Sequence, residues 1–135
     1  MRVFWVTALA AGLSLASAGF GQAKVLDCAF PINSANLGWL SDRYIFNYDE
    51  AAGTVEVLDG LIQQSVGKPV AGKPKVVSAQ QTAFSWTVMS KNTSGQYVKM
   101  VMRATFFKAD NSMIVVGKPG GFIEDFDARG TCKVK

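Results

Sequence analysis

The chain has 135 residues, 49% of them hydrophobic and 18% charged, with 14 Lys+Arg against 10 Asp+Glu, two cysteines and no histidine. Without histidine there is no serine triad, no Cys-His dyad and no histidine-rich metal site, so neither a metal nor a cofactor is expected. The net charge of +4 is mild and spread along the chain. It permits an anionic partner without requiring one, and nucleic acid is not an expected partner.

Arg2, the uncharged apolar run from Val3 to Leu15, and the small residues Ala16-Ser17-Ala18 and Gly21-Gln22-Ala23 form the pattern of a secretory signal peptide. The run falls short of the about 20 apolar residues that a spanning helix needs, and no later segment is longer, so no transmembrane segment is expected in the mature chain. Residues 1–23 are therefore read as a cleaved signal and residues 24–135 as a single domain, with cleavage after Ala18 as the alternative. Loss of Arg2 leaves 13 Lys+Arg against 10 Asp+Glu, a net charge of +3. The expected location is periplasmic or secreted.

Cys28 lies near the start of this domain and Cys132 near its end. In an oxidising compartment two such cysteines are expected to pair, and the bond would close almost the whole domain into one loop. A redox-active thiol would want a Cys-x-x-Cys motif or a neighbouring histidine that lowers its pKa, and the chain has neither; a lipid-bearing cysteine would follow the apolar run directly, whereas Lys24 and Asp27 precede Cys28.

Between the two cysteines, period-two patterns and turn signals dominate. The one helical candidate is "SANLGWLSD" (34–42), with Ser34 as its cap. "RYIFNYDE" (43–50) and "TVEVL" (54–58) alternate as the two strands of a hairpin, Asp59-Gly60 is a second hairpin turn, and "LIQQSV" (61–66) is read as the next strand. The two prolines of "GKPVAGKPK" (67–75) mark a loop or an edge crossing. Strands are predicted again at 75–79, 83–90, 96–108 and 112–117, and one more runs toward Cys132. In 96–108, Val98, Met100, Met102, Ala104 and Phe106 alternate with Lys99, Arg103 and Thr105, the pattern of a half-buried strand. About eight short strands and one disulfide joining first to last predict an all-β domain, a small antiparallel barrel or sandwich.

Candidate binding residues each have a structural alternative. Lys68, Lys73 and Lys75 form either an anion-facing loop or, with the prolines, protection for an exposed sheet edge. Lys118 and Pro119 suit the same protective role. Tyr44, Phe46, Tyr48, Trp86, Phe106, Phe107, Phe122 and Phe126 form either a core or a ligand pocket in a barrel mouth. Trp39, in an irregular Gly-containing stretch, either plugs one end of the barrel or stands exposed as a contact residue. Glu124, Asp125 and Asp127 are the carboxylate cluster with any prospect of chemistry, and they lack the spacing of a calcium loop. Asn92-Thr93-Ser94 matches a glycosylation acceptor, relevant only in a eukaryotic secretory host.

"KNTSGQY" (91–97) together with the cysteine placement resembles the small periplasmic inhibitors of C-type lysozyme. That resemblance implies an exported antiparallel β-barrel with an early-to-late disulfide and a polar loop that plugs the lysozyme cleft. It implies that Ser94 is the cleft-facing polar residue and Tyr97 the motif tyrosine, with Lys91 in the same loop; Ser94-Gly95-Gln96-Tyr97 has one residue fewer than the Ser-Gly-x-x-Tyr spacing. The expected function is that of an exported domain that acts by binding and not by catalysis, its partner a protein or a cell-envelope component. The alternatives are a lysozyme-type enzyme inhibitor and a structural component of the envelope.

Overall fold

A computed structural model describes residues 23–33, 39–91, 94–121 and 125–135. The signal segment, Ser34, the Asn92-Thr93 pair, Phe122 and Glu124 lie outside the described residues. Eight strands follow in chain order: β1 (Lys24–Ala29), β2 (Arg43–Asp49), β3 (Thr54–Asp59), β4 (Val70–Val76), β5 (Gln81–Lys91), β6 (Tyr97–Phe107), β7 (Ser112–Pro119) and β8 (Phe126–Val134). Each pairs antiparallel with the next, and β8 pairs with β1, so the fold is a closed barrel and not a sandwich. A single helix among the described residues, α1 (Gly60–Ser65), joins β3 to β4.

The alternation seen in the sequence sets the two faces of the wall. In β6, Val98, Met100, Met102, Ala104 and Phe106 are buried inside while Tyr97, Lys99, Val101 and Arg103 are exposed outside. Tyr44, Phe46 and Tyr48 of β2 point inward in the same way. They meet Phe84 and Trp86 of β5: the Phe46 and Phe84 rings stack at 5.1 Å, Tyr48 meets Phe84 edge-on at 5.0 Å, and Trp86 lies 5.5 Å from Phe46 and 5.9 Å from Tyr44. Such pairs contribute about 0.5–1.5 kcal/mol each beyond the area they bury. The middle of the barrel interior is thus a packed aromatic core.

Three local expectations are corrected. "LIQQSV" is helical over Gly60–Ser65, because the Asp59 carboxylate accepts from the Ile62 N–H at 2.8 Å and caps a helix instead of turning a hairpin. The proline-rich stretch, expected as a loop or an edge crossing, contains β4, paired on one side only around Pro74, and the strand expected at 75–79 is only its last two residues followed by a turn. β4 accommodates Pro74 because it changes partners: Val70–Gly72 pair with β3, and Lys73–Val76 with β5 alone. Pro74 therefore lies where β3 no longer runs beside it. Of the helix expected at 34–42, the described part is a turn at Trp39 and an isolated bridge at Leu40.

Barrel closure depends on β1 and β8. Leu26–Ala29 pair with Thr131–Val134, and Val25 and Lys135 exchange both backbone hydrogen bonds, at 3.2 and 2.8 Å. Cys28 is directly opposite Cys132, and the two form a disulfide. The Cys132 N–H donates to the Asn111 carbonyl at 2.7 Å, away from β1, so the cysteines are a pair without mutual backbone bonds, the kind that brings Cα atoms closest. On the outer face, Arg43 Nε and Nη2 each donate to Asp27 at 2.8 Å, and Lys135 Nζ adds a third contact at 3.3 Å. The Arg43 hydrogen bonds, then Lys135, hold the Asp27 carboxyl well below the usual carboxylate range.

Past Ala29 the chain leaves the sheet and turns inward over Gly130, placing Phe30 inside the barrel mouth. A Cβ on Gly130 would collide with the Ala29 carbonyl oxygen and lie 2.7 Å from the Phe30 ring. Gly130→Ala is accordingly expected to destabilise the fold by about 3 kcal/mol, since a backbone atom must move to admit the methyl. Cys28→Ala/Cys132→Ala is expected to cost up to about 4.7 kcal/mol, the chain-entropy figure for a loop spanning a sequence separation of 104 residues. Urea unfolding of the oxidised protein and both variants measures the two effects; a double cysteine variant as stable as the parent would remove the disulfide's role.

Candidate functional site

Strand directions divide the barrel into two ends. One end carries the β1–β2 connection, α1, the β5–β6 hairpin and the β7–β8 connection. The other carries Lys24, Lys135 and the turns after β2, β4 and β6. The first, termed the helix end, gathers Trp39, Lys68, Lys91, Ser94 and Tyr97 by topology alone. Lys73 and Lys75 instead lie on the outward face of β4, on the way to the other end, so the three lysines do not form one loop cluster.

A cleft of about 660 Å³ opens at the helix end. Its apolar wall comes from Phe30, Ile32, Trp39 and Leu61, and its polar groups from Ser41, Asp42 and Gln64. Trp39 is half-buried because its indole stacks on Phe126 of β8 at 5.0 Å and 13°. It therefore covers part of the barrel end, the first of the two roles expected for it, and also lines the cleft. At the same end of the barrel, Ser94, Gly95, Gln96 and Tyr97 are all exposed, Tyr97 at 70%, and Gly95 holds a positive φ of 85° in the hairpin turn. Lys91 ends β5 opposite Tyr97.

Below the cleft lies a polar network that the sequence did not single out. The Ser41 hydroxyl donates to Asp59 at 2.7 Å, the Ser41 N–H donates to the Tyr44 hydroxyl at 3.0 Å, and the Tyr44 hydroxyl also bonds Asp59. Asp59 thus ties α1, which it caps, to the segment carrying Trp39 and Leu40. Burial pushes its carboxyl above the ordinary carboxylate value, and the hydrogen bonds from Ile62, Ser41 and Tyr44 only partly offset this. Burial likewise raises the Tyr44 hydroxyl well above the usual phenol range, so it stays protonated. The signal available in the sequence was Asp59 followed by a short Leu-Ile segment, which also fits a turn before a strand.

The carboxylates of "EDFD" do not converge on a concave site among the described residues. Asp125 pairs with Lys118 at 3.6 Å on the surface, Asp127 is exposed, and Phe126 turns to the opposite face to meet Trp39. No group of three or more His, Cys, Asp or Glu residues that could hold a metal ion occurs among the described residues. The aromatic and polar lining of the cleft suits recognition of a chain that offers both an apolar side group and hydrogen-bonding groups.

Because Asp59 binds its proton more tightly folded than unfolded, it favours the fold most below its unfolded pKa, and that contribution is lost as pH rises through its raised folded value. Asp27 has the opposite sign: its contribution is present above the ordinary carboxylate value and is lost only in stronger acid. Asp59→Asn keeps an acceptor for the cap and removes the charge, so its stability is expected to vary less than the parent's between about pH 4 and about pH 7. Urea midpoints across that range test this; an unchanged pH profile would show that Asp59 does not titrate with folding. Comparison of the chain with known proteins finds no matching family model, no similar curated protein and no similar solved structure.

Proposed function

We propose that the chain is an exported binding protein that holds a protein or envelope partner at the helix end of its barrel and performs no catalysis. The observation that carries this reading is the cleft lined by Trp39 together with the exposed Ser94–Tyr97 turn, two candidate recognition elements at the same end of the barrel. Export is supported by the N-terminal apolar run and by the disulfide between Cys28 and Cys132. None of the described helices is long and apolar enough to cross a membrane. A binding role is supported by the absence of histidine and by a barrel middle filled with aromatic side chains.

Inhibition of a C-type lysozyme is a second reading, favoured by one observation. The motif residues Ser94 and Tyr97 lie at the turn of the hairpin formed by β5 and β6, each 11 residues long, and Tyr97 is 70% exposed. A polar loop entering an enzyme cleft needs such presentation.

Both readings are tested with the oxidised protein and two variants, Ser94→Ala/Tyr97→Ala and Trp39→Ala. Capture from a periplasmic extract that is lost in either variant supports binding at the helix end; equal capture by parent and variants overturns it. In cell-wall lysis by C-type lysozyme, stoichiometric inhibition that falls at least about tenfold in Ser94→Ala/Tyr97→Ala supports the inhibitor, as expected when central contacts are truncated. No inhibition at large molar excess rejects it.

A further inference from the structure

The end of the barrel away from the cleft contains a second cavity, of about 190 Å³. Leu26, Tyr48 and Phe106 form its apolar wall, and all three are buried. Thr82 also lines it, is 1% exposed, and its Oγ1 has no hydrogen-bond partner among the described residues. A buried hydroxyl without a partner costs about 1–3 kcal/mol, so its retention inside a cavity calls for an occupant that completes it.

The mouth has a different chemistry. Lys24, Lys108 and Glu50 stand there, Lys108 lying 3.9 Å from Glu50, and Lys24 makes no ion pair among the described residues. The balance is one positive charge in excess, beside an apolar cavity whose lining includes the Thr82 hydroxyl. A cavity of about 150 Å³ lined by apolar side chains holds benzene, while drug-sized ligands occupy roughly 300 Å³ or more. The volume here therefore matches one ring with a substituent at each end.

We propose that this cavity binds a small aromatic carboxylate bearing a hydrogen-bonding group opposite its acid: the ring lies against Tyr48 and Phe106, the carboxylate faces Lys24 and Lys108, and the distal group meets Thr82 Oγ1. The site is independent of the helix end, and its test does not depend on the partner bound there.

The probes are 4-hydroxybenzoate, benzoate and 4-hydroxybenzyl alcohol, titrated into the oxidised protein and followed by amide NMR shifts. 4-Hydroxybenzoate is expected to shift residues around Thr82, Phe106 and Lys108, and each of the other two to bind about tenfold more weakly, the loss of one hydrogen bond or one charge contact. Thr82→Val should erase the difference between 4-hydroxybenzoate and benzoate, and Lys24→Gln/Lys108→Gln the difference between acid and alcohol. Because Thr82→Val removes an unpaired hydroxyl at nearly constant volume, its thermal midpoint should equal or exceed the parent's, which separates lost binding from lost folding. Absence of shifts at millimolar probe, shifts confined to the Trp39 end, or equal affinities for all three probes would overturn the proposal.

Discussion

The pairing of β1 with β8 is the constraint on which the rest of the molecule depends. Seven of the eight strand contacts join neighbours in sequence, and each can form as a local hairpin or a short connection. The eighth brings together the two ends of the domain, and only then does every strand have a partner on both sides. Backbone bonds between Val25 and Lys135, the Cys28–Cys132 bond and the Arg43–Asp27–Lys135 group all fall on this one seam. The exposed ion pairs add little to stability individually. The covalent bond differs in kind, because it keeps the unfolded chain close to the geometry in which the last pairing forms. Gly130 is the steric counterpart: without its bare backbone the chain could not leave β1 at Ala29 and carry Phe30 into the mouth.

Closure also determines where recognition can occur. With Tyr44, Phe46, Phe84 and Trp86 filling the middle, the interior has room only toward its ends. At the helix end, Asp59 couples a helix cap to the Trp39 segment through Ser41, so the cleft lining is positioned by buried hydrogen bonds and not by loop packing alone. Burial opposes the charge of that carboxyl and raises its pKa. The two ends share the aromatic column between them yet present different chemistry, polar and open at one, enclosed and cationic-rimmed at the other.

The wall was legible in the sequence wherever one face of a strand is buried and the other wet. Residues 96–108 and 43–50 carry that contrast in full, and β6 and β2 lie where alternation put them. The seam was legible because the chain's two cysteines have only each other to pair with. β4 was missed for a reason specific to it: Pro74 breaks a ladder only if a strand lies on that side, and partner exchange between Gly72 and Lys73 is a three-dimensional fact with no local trace. α1 was missed because six residues are too few to display a helical period, and Asp-Gly serves a hairpin turn as well as a cap followed by the first helical residue. Trp39 was singled out correctly as an end residue, but its neighbours in the cleft were not, since Phe30, Leu61 and Gln64 meet it only after the barrel closes.

The seam sets the chain's first and last described strands side by side, with Val25 and Lys135 hydrogen-bonded to each other at the end opposite Trp39. Anything joined before Lys24 or after Lys135, whether a leader, a tag or a tether, emerges on that side. The molecule therefore has a handle and a head: fixed to a surface through either terminus, it holds the Trp39 cleft and the Tyr97 turn outward, while the handle itself crowds the rim where Lys24 and Val134 stand.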